Sequence, residues 1–150
     1  MKKNLLIFVI TLIFTQTGKC DTIDFWHVFY NKKMIGDFDQ YPERRMEGKH
    51  IGNEIVINTK IVKNNDSIKV KYFRDTPCDE CSTSLMIENE NHDRVLVSKG
   101  RGTFNPVSFS VKDLIVEKKR SGNASFMVFY SEEQGRYGIH KSMLFRIKFE

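Results

Sequence analysis

The chain is predicted to be all-β, an antiparallel β-sandwich of about eight or nine strands, and three observations carry that expectation. Nearly every apolar segment alternates with a period of two, and none sustains the three-to-four spacing of an amphipathic helix. The segments are short and evenly spaced. Polar turns rich in Asn, Asp and Gly separate them. A small closed β-barrel would use the same alternation and is the structural alternative. Twelve phenylalanines are enough to fill either interior. Each buried aromatic contributes a few kcal/mol at about 25 cal/mol per Å² of apolar area.

Phe25 to Tyr30 is apolar or aromatic at every position but His27, which predicts a strand covered on both faces, and Asn31-Lys32-Lys33 turns it back into Met34 to Phe38. Trp26 and Tyr30 are assigned to packing. Ile55, Ile57 and Ile61 share a face with Thr59, and Ile68, Val70 and Tyr72 alternate with Lys69 and Lys71. With Lys63-Asn64-Asn65-Asp66 between them, the two runs read as a hairpin, because Asn tolerates the left-handed backbone of tight turns. Leu85 and Ile87, a turn at Asn89 to Asp93, then Val95 and Val97 predict a second hairpin that ends at Gly100-Arg101-Gly102. Val107, Phe109 and Val111 alternate with Ser108 and Ser110, and a helical turn around Asp113 and Leu114 is the one exception to extended structure. Lys118-Lys119-Arg120, the densest basic cluster, precedes Ser121-Gly122-Asn123 and reads as a solvated loop. Phe126, Val128 and Tyr130 form the next strand. In the last, Met143, Phe145, Ile147 and Phe149 point inward, alternating with Leu144, Arg146 and Lys148.

The first twenty residues read as an export leader: Met1-Lys2-Lys3-Asn4 is positive, Leu5 to Phe14 is apolar except for Thr11, and Thr15 to Cys20 is a polar exit. Ten apolar residues span about 15 Å as a helix, half of a bilayer core, so no transmembrane segment is expected. Gly18 and Cys20 fit the small-residue cleavage rule and place the mature start at Asp21. Lipid attachment at Cys20 is the rival, disfavoured by Lys19 immediately before it. Residues 21–150 then form a single domain, since no repeat or Gly/Ser-rich linker divides them. Removing Lys2, Lys3 and Lys19 leaves 21 Lys+Arg against 19 Asp+Glu, lowering the formal charge from +5 to +2. So small a balance does not point to a nucleic-acid partner.

Thr76-Pro77-Cys78-Asp79-Glu80-Cys81 is the one motif with chemical content. In an oxidising compartment, Cys78 and Cys81 are expected to form a local disulfide worth about 2 kcal/mol by loop entropy. The alternative is a periplasmic thiol-redox or metal-handling role for the same pair. Redox chemistry needs a stabilised thiolate, and Asp75, Asp79 and Glu80 oppose one. Zinc needs four ligands, and one cysteine pair with an isolated His92 supplies half a site. For calcium, Asp37 and Asp39 with Asp75, Asp79 and Glu80 lack EF-hand spacing. No cofactor is expected. Nucleophile-elbow, phosphate-loop, HExxH and dinucleotide signatures are missing from the sequence, which makes an enzyme the minority reading. The favoured function is a non-catalytic secreted or periplasmic binding or structural module of the bacterial envelope, with an unknown protein, glycan or small molecule as partner. Tyr41 and Tyr137, beside Pro42 and Gly138, are the expected binding aromatics.

Overall fold

Two antiparallel hairpins and their neighbours divide the strands between two packed sheets. The computed structural model describes residues 24–39, 53–133 and 139–150. Among these residues there are nine strands: β1 (Phe25–Tyr30), β2 (Lys33–Asp39), β3 (Glu54–Ile57), β4 (Ser67–Phe73), β5 (Ser82–Glu88), β6 (Arg94–Arg101), β7 (Val107–Ser110), β8 (Ser125–Glu133) and β9 (Ile139–Phe149). Between β7 and β8 lies the helix α1 (Val111–Ser121). A four-stranded sheet has the order β2-β1-β4-β7 and a five-stranded sheet the order β3-β9-β8-β5-β6. The architecture is the expected sandwich, and no closed barrel forms.

The alternation explains which side chains meet. Trp26 and Val28 of β1 and Ile68, Val70 and Tyr72 of β4 face Leu85, Ile87, Phe126, Val128, Phe145 and Ile147 of the other sheet, and all are buried. The Tyr72 and Tyr130 rings stack at 4.2 Å and the Phe38 and Phe145 rings at 6.1 Å, stitching one sheet to the other. Such offset pairs add about 1 kcal/mol beyond the area they bury.

The hairpins β1–β2 and β5–β6 form as the turns predict. At the first, Asn31 takes the left-handed backbone with φ 55°, which Asn accepts more readily than most residues. The predicted hairpin between Ile55–Ile61 and Ile68–Tyr72 does not form. Instead β3 runs parallel to β9, pairing Ile55 with Ile147 and Ile57 with Phe149. The chain then crosses to the other sheet through a single 3-10 turn at Thr59–Ile61, whose first N–H groups are capped by the Asn58 side chain, 3.0 Å from Lys60 N. Ile61 is 72% exposed on that crossing and shares no face with Ile55. The segment between the strands is organised by Asp66, whose carboxylate accepts from Tyr30 OH at 2.6 Å, Asn31 Nδ2 at 2.9 Å and Lys63 N at 2.7 Å. These donors hold its pKa below the usual carboxylate value.

Val111 is not the last inward residue of a strand but the first of an eleven-residue helix. Ser110 caps it, its Oγ accepting from Asp113 N at 3.3 Å, and Val111 and Leu114 are driven into the open end of the sandwich. Lys118, Lys119 and Arg120 therefore occupy the last helical turn rather than a loop, where cations favour the helix dipole. Gly122 ends the helix at φ 75°, its N–H donating to Lys118 O at 2.9 Å. The last strand also departs from simple alternation. A bulge opposite Val128 and Phe129 places Leu144 and Phe145 both inside and leaves Met143 48% exposed.

Candidate binding surface

At one corner of the sandwich the cysteine loop closes over a buried carboxylate. The sulfurs of Cys78 and Cys81 lie at bonding distance, with the Cα atoms 5.6 Å apart. The loop backbone is tied to the turn after β6. Cys78 N donates to Thr103 Oγ1 at 2.7 Å, Thr103 N to Cys78 O at 2.9 Å, and Gly102 N to Cys81 O at 2.9 Å. Gly102 has φ 79°, and a Cβ there would fall 2.8 Å from Asp79 O, so only glycine permits this approach. The Thr103 hydroxyl donates onward to Glu132 Oε2 at 2.9 Å. Glu132 is fully buried and also accepts from Tyr130 OH at 3.0 Å and Arg74 Nη1 at 3.1 Å.

Three convergent donors offset much of the cost of taking that carboxylate out of water. Burial first, and then the adjacent Glu132 charge, push the Tyr130 phenol far above its ordinary pKa. Burial and the 2.6 Å bond to Asp24 do the same for Tyr72. Both phenols therefore stay neutral hydrogen-bond donors, and the corner is built as a clasp between sheets. His92 lies on the turn beyond the far end of β5 from Cys81. Seven strand residues separate them, about 23 Å, so the sulfurs and that imidazole are not brought together. Among the described residues, no three His, Cys, Asp or Glu side chains stand close enough to hold a metal ion.

The outer face of the four-stranded sheet is a different kind of surface. Phe25, His27 and Phe29 of β1 point outward beside Lys69, Lys71 and Phe73 of β4. The Phe25 and Phe73 rings stack at 4.6 Å, Phe104 packs against Phe73 at 5.9 Å, and His27 sits 5.0 Å from Phe73 and 6.4 Å from Phe29. Phe25 is 36% and Phe104 40% exposed. Of the two faces of β1, read as a strand covered on both, one is buried in the core and the other is half-buried at His27 and Phe29 and exposed at Phe25. On its open side the rings form a continuous strip, with Lys71 Nζ 5.0 Å from the Phe73 ring centre and Asp37 3.5 Å from His27.

At the end of the face away from Phe104, the strip reaches a depression of about 690 Å³ lined by Asn31, Lys32, Lys33, Asn65, Ser67 and Lys69. Phe29 and Lys69 are register partners, so strip and depression are continuous. A second depression of about 420 Å³ on the other sheet mixes Glu90 and His92 with Arg146 and Lys148. Two of its charges are already engaged: Glu90 accepts from Ser125 Oγ at 2.8 Å, and Lys148 pairs with Glu54 at 3.0 Å.

Of the aromatics singled out in the sequence, Trp26 is buried and Tyr30 half-buried with its hydroxyl on Asp66, as packing residues should be. Tyr41 and Tyr137 lie outside the described residues. The strip itself was legible only as an anomaly: Ser67, Lys69 and Lys71 are the polar outward residues of β4, and Phe73, next in the same row, breaks their series. No helix among the described residues is long and apolar enough to cross a membrane. Compared with protein families, with curated proteins and with solved structures, the chain matches none.

Proposed function

We propose that this protein is an exported, non-catalytic binding module of the bacterial envelope that holds an amphipathic ligand along the outer face of its four-stranded sheet. The observation that carries this reading is the outward strip Phe104–Phe73–Phe25–His27–Phe29, exposed at Phe25 and Phe104 and half-buried at Phe73, His27 and Phe29. An antiparallel sheet face turned to water ordinarily carries polar side chains, and clustered exposed aromatics mark interaction sites. The leader sequence Met1 to Cys20 and the paired cysteines agree with work in an oxidising compartment outside the cytoplasm.

The probe is anilinonaphthalene sulfonate, a planar apolar body with one anionic group. The native protein is expected to bind it saturably, with fluorescence enhancement lost in Phe25→Ser/Phe104→Ser. Failure of the native protein to bind, or unchanged binding by a folded double variant, overturns the reading.

A further inference from the structure

The depression at the end of the strip is a cluster of unneutralised cations. Lys32 and Lys33 reach it from the β1–β2 turn and Lys69 from β4, and all three are exposed. None of the three has an acidic partner among the described residues. The nearby carboxylate, Asp66, is buried and committed to Tyr30, Asn31 and the Lys63 N–H.

The framework beneath the lysines is fixed. Asn31 Nδ2 donates to Asp66 Oδ1 at 2.9 Å, its Oδ1 accepts from Ser67 N at 2.9 Å, and its own N–H donates to Ser67 O at 2.8 Å. The turn carrying Lys32 and Lys33 is thereby latched to the start of the strand carrying Lys69. Like charges repel, so three lysines lining one depression with no carboxylate to neutralise them favour an anion there. The Asn65 amide and Ser67 hydroxyl line the same hollow and add neutral donors.

We infer that this hollow is an anion seat that takes a phosphate-type oxyanion, the polar head of a ligand whose apolar part lies on the phenylalanine strip. The inference rests on the proposed binding face for the apolar half of the ligand and on the lysine cluster alone for the head. Several lysines acting as point charges suit a compact, multiply charged oxyanion better than a singly charged carboxylate, because the attraction scales with the charge of the anion. The shared chemistry is a phosphate monoester or diester, whether on a soluble molecule or on a lipid headgroup.

The test is an amide NMR titration of the full chain with inorganic phosphate at low ionic strength. Saturable shifts are expected at residues 31–33 and 65–69, weakened about tenfold or more in Lys32→Ser/Lys33→Ser/Lys69→Ser and by added salt, as for any exposed charge cluster. Shifts that never saturate, that equal those from chloride, or that persist in the folded triple variant overturn the anion seat. Sedimentation with phosphatidylcholine vesicles containing phosphatidylglycerol identifies the source. Lysine-dependent co-sedimentation supports a lipid phosphate, and phosphate binding without co-sedimentation supports a soluble ester. The two readings fail separately: Phe25→Ser/Phe104→Ser should retain phosphate binding while losing the aromatic probe. Loss of phosphate binding in that variant would instead refute the assignment of the head to the lysines.

Discussion

Replacing Arg74 with Met tests the clasp that joins the two sheets at the cysteine corner. Arg74 Nη1 lies 3.1 Å from Glu132 Oε1, and the two side chains are 21% and 0% exposed. At an effective dielectric of about 20, charges at that separation attract by about 5 kcal/mol. Solvent contact on the arginine trims the loss to about 3 kcal/mol, the lower end of the range for leaving one member of a buried pair behind. The Thr103 and Tyr130 hydroxyls remain on Glu132 Oε2 and keep the carboxylate from being stranded altogether. The measurement is urea unfolding at neutral pH followed by the fluorescence of Trp26, the only tryptophan and a buried core residue. Arg74→Met/Glu132→Gln should recover most of the loss, giving a coupling energy of about 2 kcal/mol in the double-mutant cycle. A cost below about 1 kcal/mol for Arg74→Met with an unchanged denaturant slope, or strictly additive single effects, would show that this pair does not hold the corner.

Two further outcomes follow from the same geometry. Cys78→Ser/Cys81→Ser should lower stability by about 2 kcal/mol through the freed loop, and should raise amide exchange at Gly102 and Thr103, whose N–H groups bond that loop; unchanged exchange at both would refute the clasp. On acidification, Asp66 contributes stability that is fully present above its ordinary unfolded value of 3.8 and is lost as pH falls through its lowered folded value. The unfolding midpoint should therefore drop below about pH 4 in the native protein, and Asp66→Asn should flatten that limb; parallel pH profiles for the two proteins would contradict the hub role.

The fold class was readable because burial on one face leaves a period-two trace wherever the other face meets water. β4, β7 and β8 show it cleanly, Ile68-Val70-Tyr72, Val107-Phe109 and Phe126-Val128-Tyr130 all lying in the core. What stayed hidden were choices made by distant residues. The pairing of β3 with β9 rather than β4 is fastened at its start by Asn53, whose backbone carbonyl accepts from Arg146 N and whose side chain donates to Leu144 O across more than ninety positions of chain. Nothing local announces such a contact. Likewise the helix after Ser110 begins in mid-alternation, and the Ser110 cap with Asp113 three positions on was the local sign that Val111 had changed period.

The binding surface shows the same limit from the opposite side. A strand apolar on both faces is what a fully covered strand looks like, and β1 has that composition whether or not a third layer exists. Its neighbours decide the question. Outward from β1, the sheet offers Asp37 and Asp39 on one flank and Lys69 and Lys71 on the other, side chains suited to a solvated face. Phenylalanines standing in that polar frame would be a liability in a chain selected only for folding, since exposed aromatic patches invite non-specific association. On the opposite sheet, Lys141 lies over Phe129 and is paired with Glu88. What distinguishes the strip from that face is ring against ring from Phe104 through Phe73 and Phe25 to His27 and Phe29, a surface suited to a flat apolar ligand, and the lysines at its end give that ligand a charge.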